Sequence, residues 1–169
     1  IPSLNEIISN KKEVSALRPI ELEDLLGRES VNPDPNLLQG VVKDKVIFIS
    51  GAGGSIGKEL TRQIIQLDPK LIILFDSSEP SIYELTLEIN DLNKNKIPIV
   101  NVLGNACDEK LVDNVFKKYT IDIVFHAAAY KHVPIVESNS IEGMHNNIVS
   151  TIVLTGASKK FEISKFILI

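Results

Sequence analysis

The chain has a single cysteine, Cys107, in 169 residues, so no disulfide can form within it, which fits a reducing compartment. No apolar run approaches the roughly 20 residues of a membrane span, and the N-terminus lacks a secretory pattern. A basic excess is missing too. The net charge of −4 argues against broad nucleic-acid binding, which needs a positive surface. It leaves room for a nucleotide, because helix N-termini and backbone amides hold phosphate without net positive charge. Internal repeats and low-complexity tracts are absent. What remains is an ordinary globular composition, 44% hydrophobic and 24% charged. The expectation is a soluble, cytoplasmic chain of one domain with an appended segment. It opens on Ile1 and not Met, and is read as an excised piece or a processed product.

Pro2, Pro19, Pro33 and Pro35 punctuate the first forty residues, which offer only short amphipathic pieces such as Leu22 to Leu26. We read 1–40 as a linker with short helices and 41–169 as the folded domain. A mobile tail is the plainer alternative for the linker.

Past Gly40 the pattern becomes regular. Val46–Ile49, Leu71–Phe75, Ile97–Leu103, Ile121–Phe125 and Phe166–Ile169 are β-branched-rich runs of strand length. Apolar residues on both faces suit parallel strands covered by helices on either side. Helical spacing lies between them: Ile56, Leu60, Ile64; then Ile82, Leu85, Ile89, Leu92; then Leu111, Val112, Val115, Phe116; then a fourth segment from Ser140 to Phe161. Ser81 followed by Glu84 predicts a capping box. Strand and helix in alternation predict an α/β fold, a doubly wound parallel sheet of order 3-2-1-4-5, truncated after its fifth strand.

The first strand runs directly into Ser50-Gly51-Ala52-Gly53-Gly54-Ser55-Ile56-Gly57, and a helical pattern follows at once. Between a buried strand and a helix start, such a stretch has a mechanism. Gly51 permits the tight turn, Gly53 or Gly54 lets backbone approach a pyrophosphate, and Gly57 lets helix and strand pack closely. Unpaired N–H groups, including those of Ser55 and Ile56, and the helix dipole would face the phosphates. A flexible turn without ligand is the alternative. A P-loop is disfavoured, since no Gly-Lys-Ser/Thr follows.

Asp76 ends the second run, about 20 residues past the loop, where a ribose-binding acid is expected. A carboxylate there accepts hydroxyl hydrogen bonds and repels a 2′-phosphate. Ser77 and Ser78 follow, with no arginine, so NAD is expected over NADP. The alternative role for Asp76 is a helix cap or turn.

These residues resemble the extended short-chain dehydrogenase/reductases, with Ser50 in place of the threonine of Thr-Gly-x-x-Gly-x-x-Gly. Gly104-Asn105-Ala106-Cys107-Asp108 resembles that family's loop beside the adenine, usually Gly-Asp-x-x-Asp, with Asn105 departing from it. Phe125-His126-Ala127-Ala128-Ala129-Tyr130-Lys131-His132-Val133-Pro134 looks like the signature of its polysaccharide-biosynthesis branch, the membrane-associated UDP-N-acetylhexosamine 4,6-dehydratases. Leu17-Arg18-Pro19-Ile20-Glu21 and Leu25-Leu26-Gly27-Arg28 resemble the linker of its long-form members. The resemblance implies NAD(P)+-dependent oxidation at sugar C4, loss of water across C5 and C6, and return of the hydride to C6. It implies a UDP-sugar substrate and a parent protein anchored at the cytoplasmic face of the inner membrane. Ala127, Ala128 and Ala129 would lie against the nicotinamide side, and Asn147 would organise the site from behind.

The family's catalytic groups follow the fifth strand, where this chain stops. Tyr83, Tyr119 and Tyr130 are followed four positions on by Leu87, Ile123 and Pro134, so Tyr-x-x-x-Lys does not occur. No catalytic residue is assigned, and the piece itself is expected to be inactive. A 4-epimerase, a non-catalytic NAD-binding module and a scaffold that binds no nucleotide are the rivals.

His126, His132 and His145 fit no zinc spacing, and no metal site is expected. His126 reads as a strand-end residue packed beside the cofactor. Lys131 and His132 approach a phosphate or sugar, or are solvated. Cys107 reads as structurally incidental. The exposed edge of the fifth strand is where a homo-oligomer or an aggregate would form.

Overall fold

The computed structural model describes residues 34–169. The expected 1–40 linker therefore lies outside the described residues except for its last few. Those belong to helix α1, Pro35–Val42, which contains Gly40 and buries Val42 at its end.

Five strands form one parallel sheet: β1 Val46–Ser50, β2 Leu71–Asp76, β3 Ile99–Leu103, β4 Ile123–His126 and β5 Lys165–Leu168. Their order is β3-β2-β1-β4-β5, the doubly wound arrangement that alternating strands and helices predict. Helix α2 spans Ser55–Ile65, α3 Glu79–Leu92, α4 Glu109–Lys118, α5 Val133–Ser138 and α6 Ser140–Met144. A π-helical turn, His145–Val149, joins α6 to α7, Ser150–Lys160.

Period-two alternation gives each central strand two buried faces. Val46, Phe48, Ile73 and Phe75 pack with Val112, Val115 and Phe116 of α4 and Leu154 and Ala157 of α7. Ile47, Ile49, Ile72 and Leu74 pack on the opposite side with Ile64 and Ile65 of α2 and Leu85 and Ile89 of α3. Phe48 sits 5.4 Å from Phe75 and 5.2 Å from Phe116, centroid to centroid, within aromatic pairing range. β3 and β5 are edges and depart from two-sided burial: Asn101, Leu103 and Leu168 are exposed.

Three local expectations shift. The α3 N-cap is Ser78, three residues before Ser81; its side chain accepts the Ser81 N–H, and Pro80 falls in the first turn where its missing N–H costs nothing. Glu84 pairs with Lys58 of α2 at 3.1 Å and closes no capping box. In α2, Ile56 is exposed, and the buried face is Gly57, Thr61, Ile64 and Ile65. The segment Ser140–Phe161 is helical but broken by the π turn, and α5 precedes it.

Candidate functional site

The site grows from the end of β1. Gly51 has φ +66°, and a Cβ there would lie 2.6 Å from Ala128 N. Only glycine permits both the reversal and the contact with the backbone after β4. Ala52 N donates to Phe75 O at 3.2 Å, which ties the loop to β2 as well. Gly54 caps α2 with extended backbone and no side chain. The helical ladder starts at Lys58 N to Gly54 O, 2.8 Å, so the amides of Ser55, Ile56 and Gly57 stand before it. Gly57 is buried against the turn: a Cβ would meet Gly51 O at 2.1 Å.

Gly53 behaves differently from its expected role. Its N–H goes to Asp76 Oδ2 at 2.9 Å, and its α-carbon faces Ser81, whose Cβ an added methyl would meet at 2.4 Å. Packing on α3 therefore explains this glycine. Gly54 spends its own N–H on Gly51 O at 3.1 Å, so the first-turn amides remain for an anion. Asp76 Oδ1 also accepts Ser78 N–H at 2.9 Å.

One cleft runs along the carboxyl ends of β1 to β4. Gly51, Gly53 and Gly54 line one wall, and Ala127, Ala128, Ala129 and Tyr130 face them. Asp76 and Ser77 lie at the β2 end, with Gly104, Asn105 and Ala106 beyond. Apart from Tyr130 the walls are small residues and backbone, leaving room for a flat or extended ligand between them. Asn105 spends its side-chain oxygen on Cys107 N–H, 2.8 Å, leaving its NH₂ group to donate. Asp108 then caps α4 by accepting Leu111 N–H at 3.0 Å.

Ser55, Ile56, Gly57, Lys131 and Asn147 do not line this cleft. Lys131 Nζ donates to Ser55 Oγ at 2.9 Å across a second, more apolar depression bordered by Ile135, Val136 and Gly143. Asn147, in the π turn, clamps the loop after β4: Oδ1 accepts Tyr130 N–H at 2.8 Å and Nδ2 donates to Tyr130 O at 3.0 Å. Phe75, Ser81, Tyr130 and Asn146 also line the cleft, though the sequence assigns none of them to cofactor binding. Only Tyr130 carried a signal, as part of the run Phe125–Pro134.

His126 is buried under the cleft, and burial holds its imidazole below the ordinary histidine value. Cys107 lies beside the Asn146 carbonyl, 3.7 Å away, and burial pushes its thiol up, which makes it a poor nucleophile. Among the described residues, no three His, Cys, Asp or Glu side chains gather as metal ligands, and no helix is long and apolar enough to cross a membrane.

A parallel sheet of this order, with a glycine loop opening its first helix, defines a Rossmann protein of the short-chain dehydrogenase/reductase type. Residues 47–169 match the polysaccharide biosynthesis protein family, and the chain belongs to it. Over all 169 residues it is 38% identical to the capsular polysaccharide biosynthesis protein CapD of Staphylococcus aureus, covering 28% of that protein. It is 32% identical over 106 residues to a UDP-N-acetylglucosamine 4,6-dehydratase (inverting) of Campylobacter jejuni, covering 62% of this chain and 29% of that one. The chain thus spans under a third of either relative. The fold superposes on UDP-glucose 4-epimerase of Bifidobacterium longum, a complex with NAD+ and UDP, with TM-score 0.63 and 25% identity over 73% of this chain and 36% of that one.

Proposed function

We propose that the cleft binds NAD and that the chain is the cofactor-binding portion of a nucleotide-sugar 4,6-dehydratase for surface-polysaccharide synthesis. The observation that carries the reading is one cleft walled by Gly51, Gly53 and Gly54, directly ahead of an α2 start without a side-chain cap, with the Asp76 carboxylate at the end of the neighbouring strand. Diphosphate suits the first, and vicinal ribose hydroxyls suit the second. Bound there, the dinucleotide would supply a hydride acceptor and donor. The chain's own residues bind and orient: Gly51, Gly54 and Gly57 shape the phosphate turn, and Asp76 takes the ribose. Ser77, Asn105 and Ala106 border the adenine. Ala127, Ala128 and Ala129 form the wall toward the nicotinamide, and Lys131 reaches the rim through Ser55.

Asp76 followed by Ser77 and Ser78, with no guanidinium, supports NAD over NADP. The UDP-sugar and the proton-transferring groups belong to the whole protein, whose reaction we assign to the cytoplasmic side of the membrane. Likeness to an NAD+-bound 4-epimerase favours one second reading, since oxidation at C4 is common to both reactions and the same front half would serve either.

Calorimetric titration of the 169-residue chain with NAD and NADP tests the proposal. The expected outcome is saturable NAD binding, weaker NADP binding and no turnover of UDP-N-acetylglucosamine. Tighter NADP binding, or no binding of either, overturns it.

A further inference from the structure

Beneath the cleft, His126 is 2% exposed and has no part in the binding described above. It ends β4 in register with Ser50 of β1 on one side and Leu168 of β5 on the other. Its Nδ1 lies 2.7 Å from Ser50 Oγ; its Nε2 lies 3.0 Å from Thr151 Oγ1 and 3.5 Å from Ser150 Oγ.

Thr151 decides where the protons sit. A hydroxyl has one hydrogen, and the Asn147 carbonyl, which can only accept, stands 2.8 Å from Thr151 Oγ1. Thr151 donates there and accepts from His126 Nε2–H. Nδ1 then keeps its lone pair and accepts from Ser50. Burial keeps the ring neutral, and it is this that leaves Nδ1 without a proton.

The bonds continue past Asn147, because its side chain holds both the N–H and the carbonyl of Tyr130. One imidazole therefore links Ser50, the residue before the Gly51 reversal, to the helix whose asparagine pins the Tyr130 loop. Those two loops are the facing walls of the cleft. Hydroxyls at both nitrogens satisfy the buried ring and also fix its orientation between the two elements. We propose that His126 is a positioning residue, held as the Nε2–H tautomer, that sets the separation of the glycine loop from the Tyr130 loop and so the fit of the cleft to a dinucleotide. The last clause rests on the NAD reading given above.

The test uses the full chain, with Thr151→Val removing the acceptor and Thr151→Ser returning it. Long-range ¹H–¹⁵N NMR reads the imidazole, the amide resonance of Tyr130 reads the loop, and calorimetry with NAD reads the cleft. Wild type is expected to show protonated Nε2 and bare Nδ1. Thr151→Val is expected to shift the Tyr130 amide and weaken NAD about fivefold, the loss of roughly one hydrogen bond, while Thr151→Ser stays within about twofold of wild type. An Nδ1–H tautomer or an imidazolium overturns the proposal. So does a folded Thr151→Val chain with unchanged Tyr130 amide and unchanged affinity. Should that variant not fold, Ser50→Ala opens the other end, and an unmoved Tyr130 amide there is equally fatal. If wild type takes up no NAD, the dinucleotide reading falls, and the tautomer and the Tyr130 amide still decide the positioning role.

Discussion

Gly53 donates its backbone N–H to the Asp76 carboxylate at 2.9 Å, which fastens the glycine loop to the end of β2. The other carboxylate oxygen takes the Ser78 N–H, at the cap of α3. Two oxygens offer about four acceptor sites, so two remain for a pair of hydroxyls. The same side chain thus builds the wall and presents the ligand contact.

Asp76→Asn keeps one acceptor and turns an NH₂ group on a backbone N–H or on the ribose. NAD affinity is expected to fall about tenfold or more, and the preference over NADP to shrink, because the charge that repels a 2′-phosphate is gone. Titration with both dinucleotides checks this. An unchanged NAD Kd removes Asp76 from the ribose contact.

Two glycines should respond with opposite signs. A methyl on Gly57 would press into Gly51 O and Ala52 Cα, at 2.1 and 2.6 Å, all of it backbone. Gly57→Ala is expected to cost about 3 kcal/mol in urea unfolding and to abolish dinucleotide binding. Gly40, inside α1, has nothing within 4 Å of the same methyl. Gly40→Ala is expected to raise stability by about 0.5–1 kcal/mol without touching binding.

The buried His126 sets an acid limit. Burial lowers its folded value from the ordinary 6.5, so near that pH the unfolded chain binds the proton more readily. Stability is then complete above about pH 6.5 and declines as pH falls from there toward the folded value. Glu88 and Glu59 are also lowered, by hydrogen bonds from Arg62 and Gln63, and they act in a separate window below their ordinary 4.5. His126→Gln is expected to flatten the stability profile just below pH 6.5 and leave the lower limb in place. Chemical denaturation across pH reads both.

Asn147→Leu removes both bonds to Tyr130 while keeping the number and branching of the side-chain heavy atoms. We expect a loss of about 1–2 kcal/mol and faster amide exchange at Tyr130, with exchange in β1 and β2 unchanged. Hydrogen exchange followed by NMR resolves the two regions. Equal acceleration everywhere would mean global destabilisation and not a released loop.

What the sequence revealed follows from how local each cause is. Val46–Ile49 and Leu71–Phe75 read as buried strands because their burial on both sheet faces needs apolar residues throughout. The glycine loop was legible from its position between such a strand and a helix. Ile56 misled because the buried face of α2 is completed by Gly57 and Thr61, residues an apolar pattern does not register. Ser81 with Glu84 has the spacing of a capping box, yet Pro80 and the oxygen of Ser78 start the helix earlier. The π turn escaped because one extra residue barely alters helical spacing. The clamp between Asn147 and Tyr130, and the packing of Gly53 on Ser81, join distant segments and leave no local trace.

Strand β1 has both of its sheet neighbours downstream, and they arrive at different times. Ser50 leaves the ribosome 76 residues ahead of His126, its partner on β4. At about 5–20 residues per second, the gap in synthesis lasts several seconds. Once β2 has emerged, the nascent chain carries a strand that is apolar from Val46 to Ile49 and still has one bare edge, the interval in which a chaperone has most to shield.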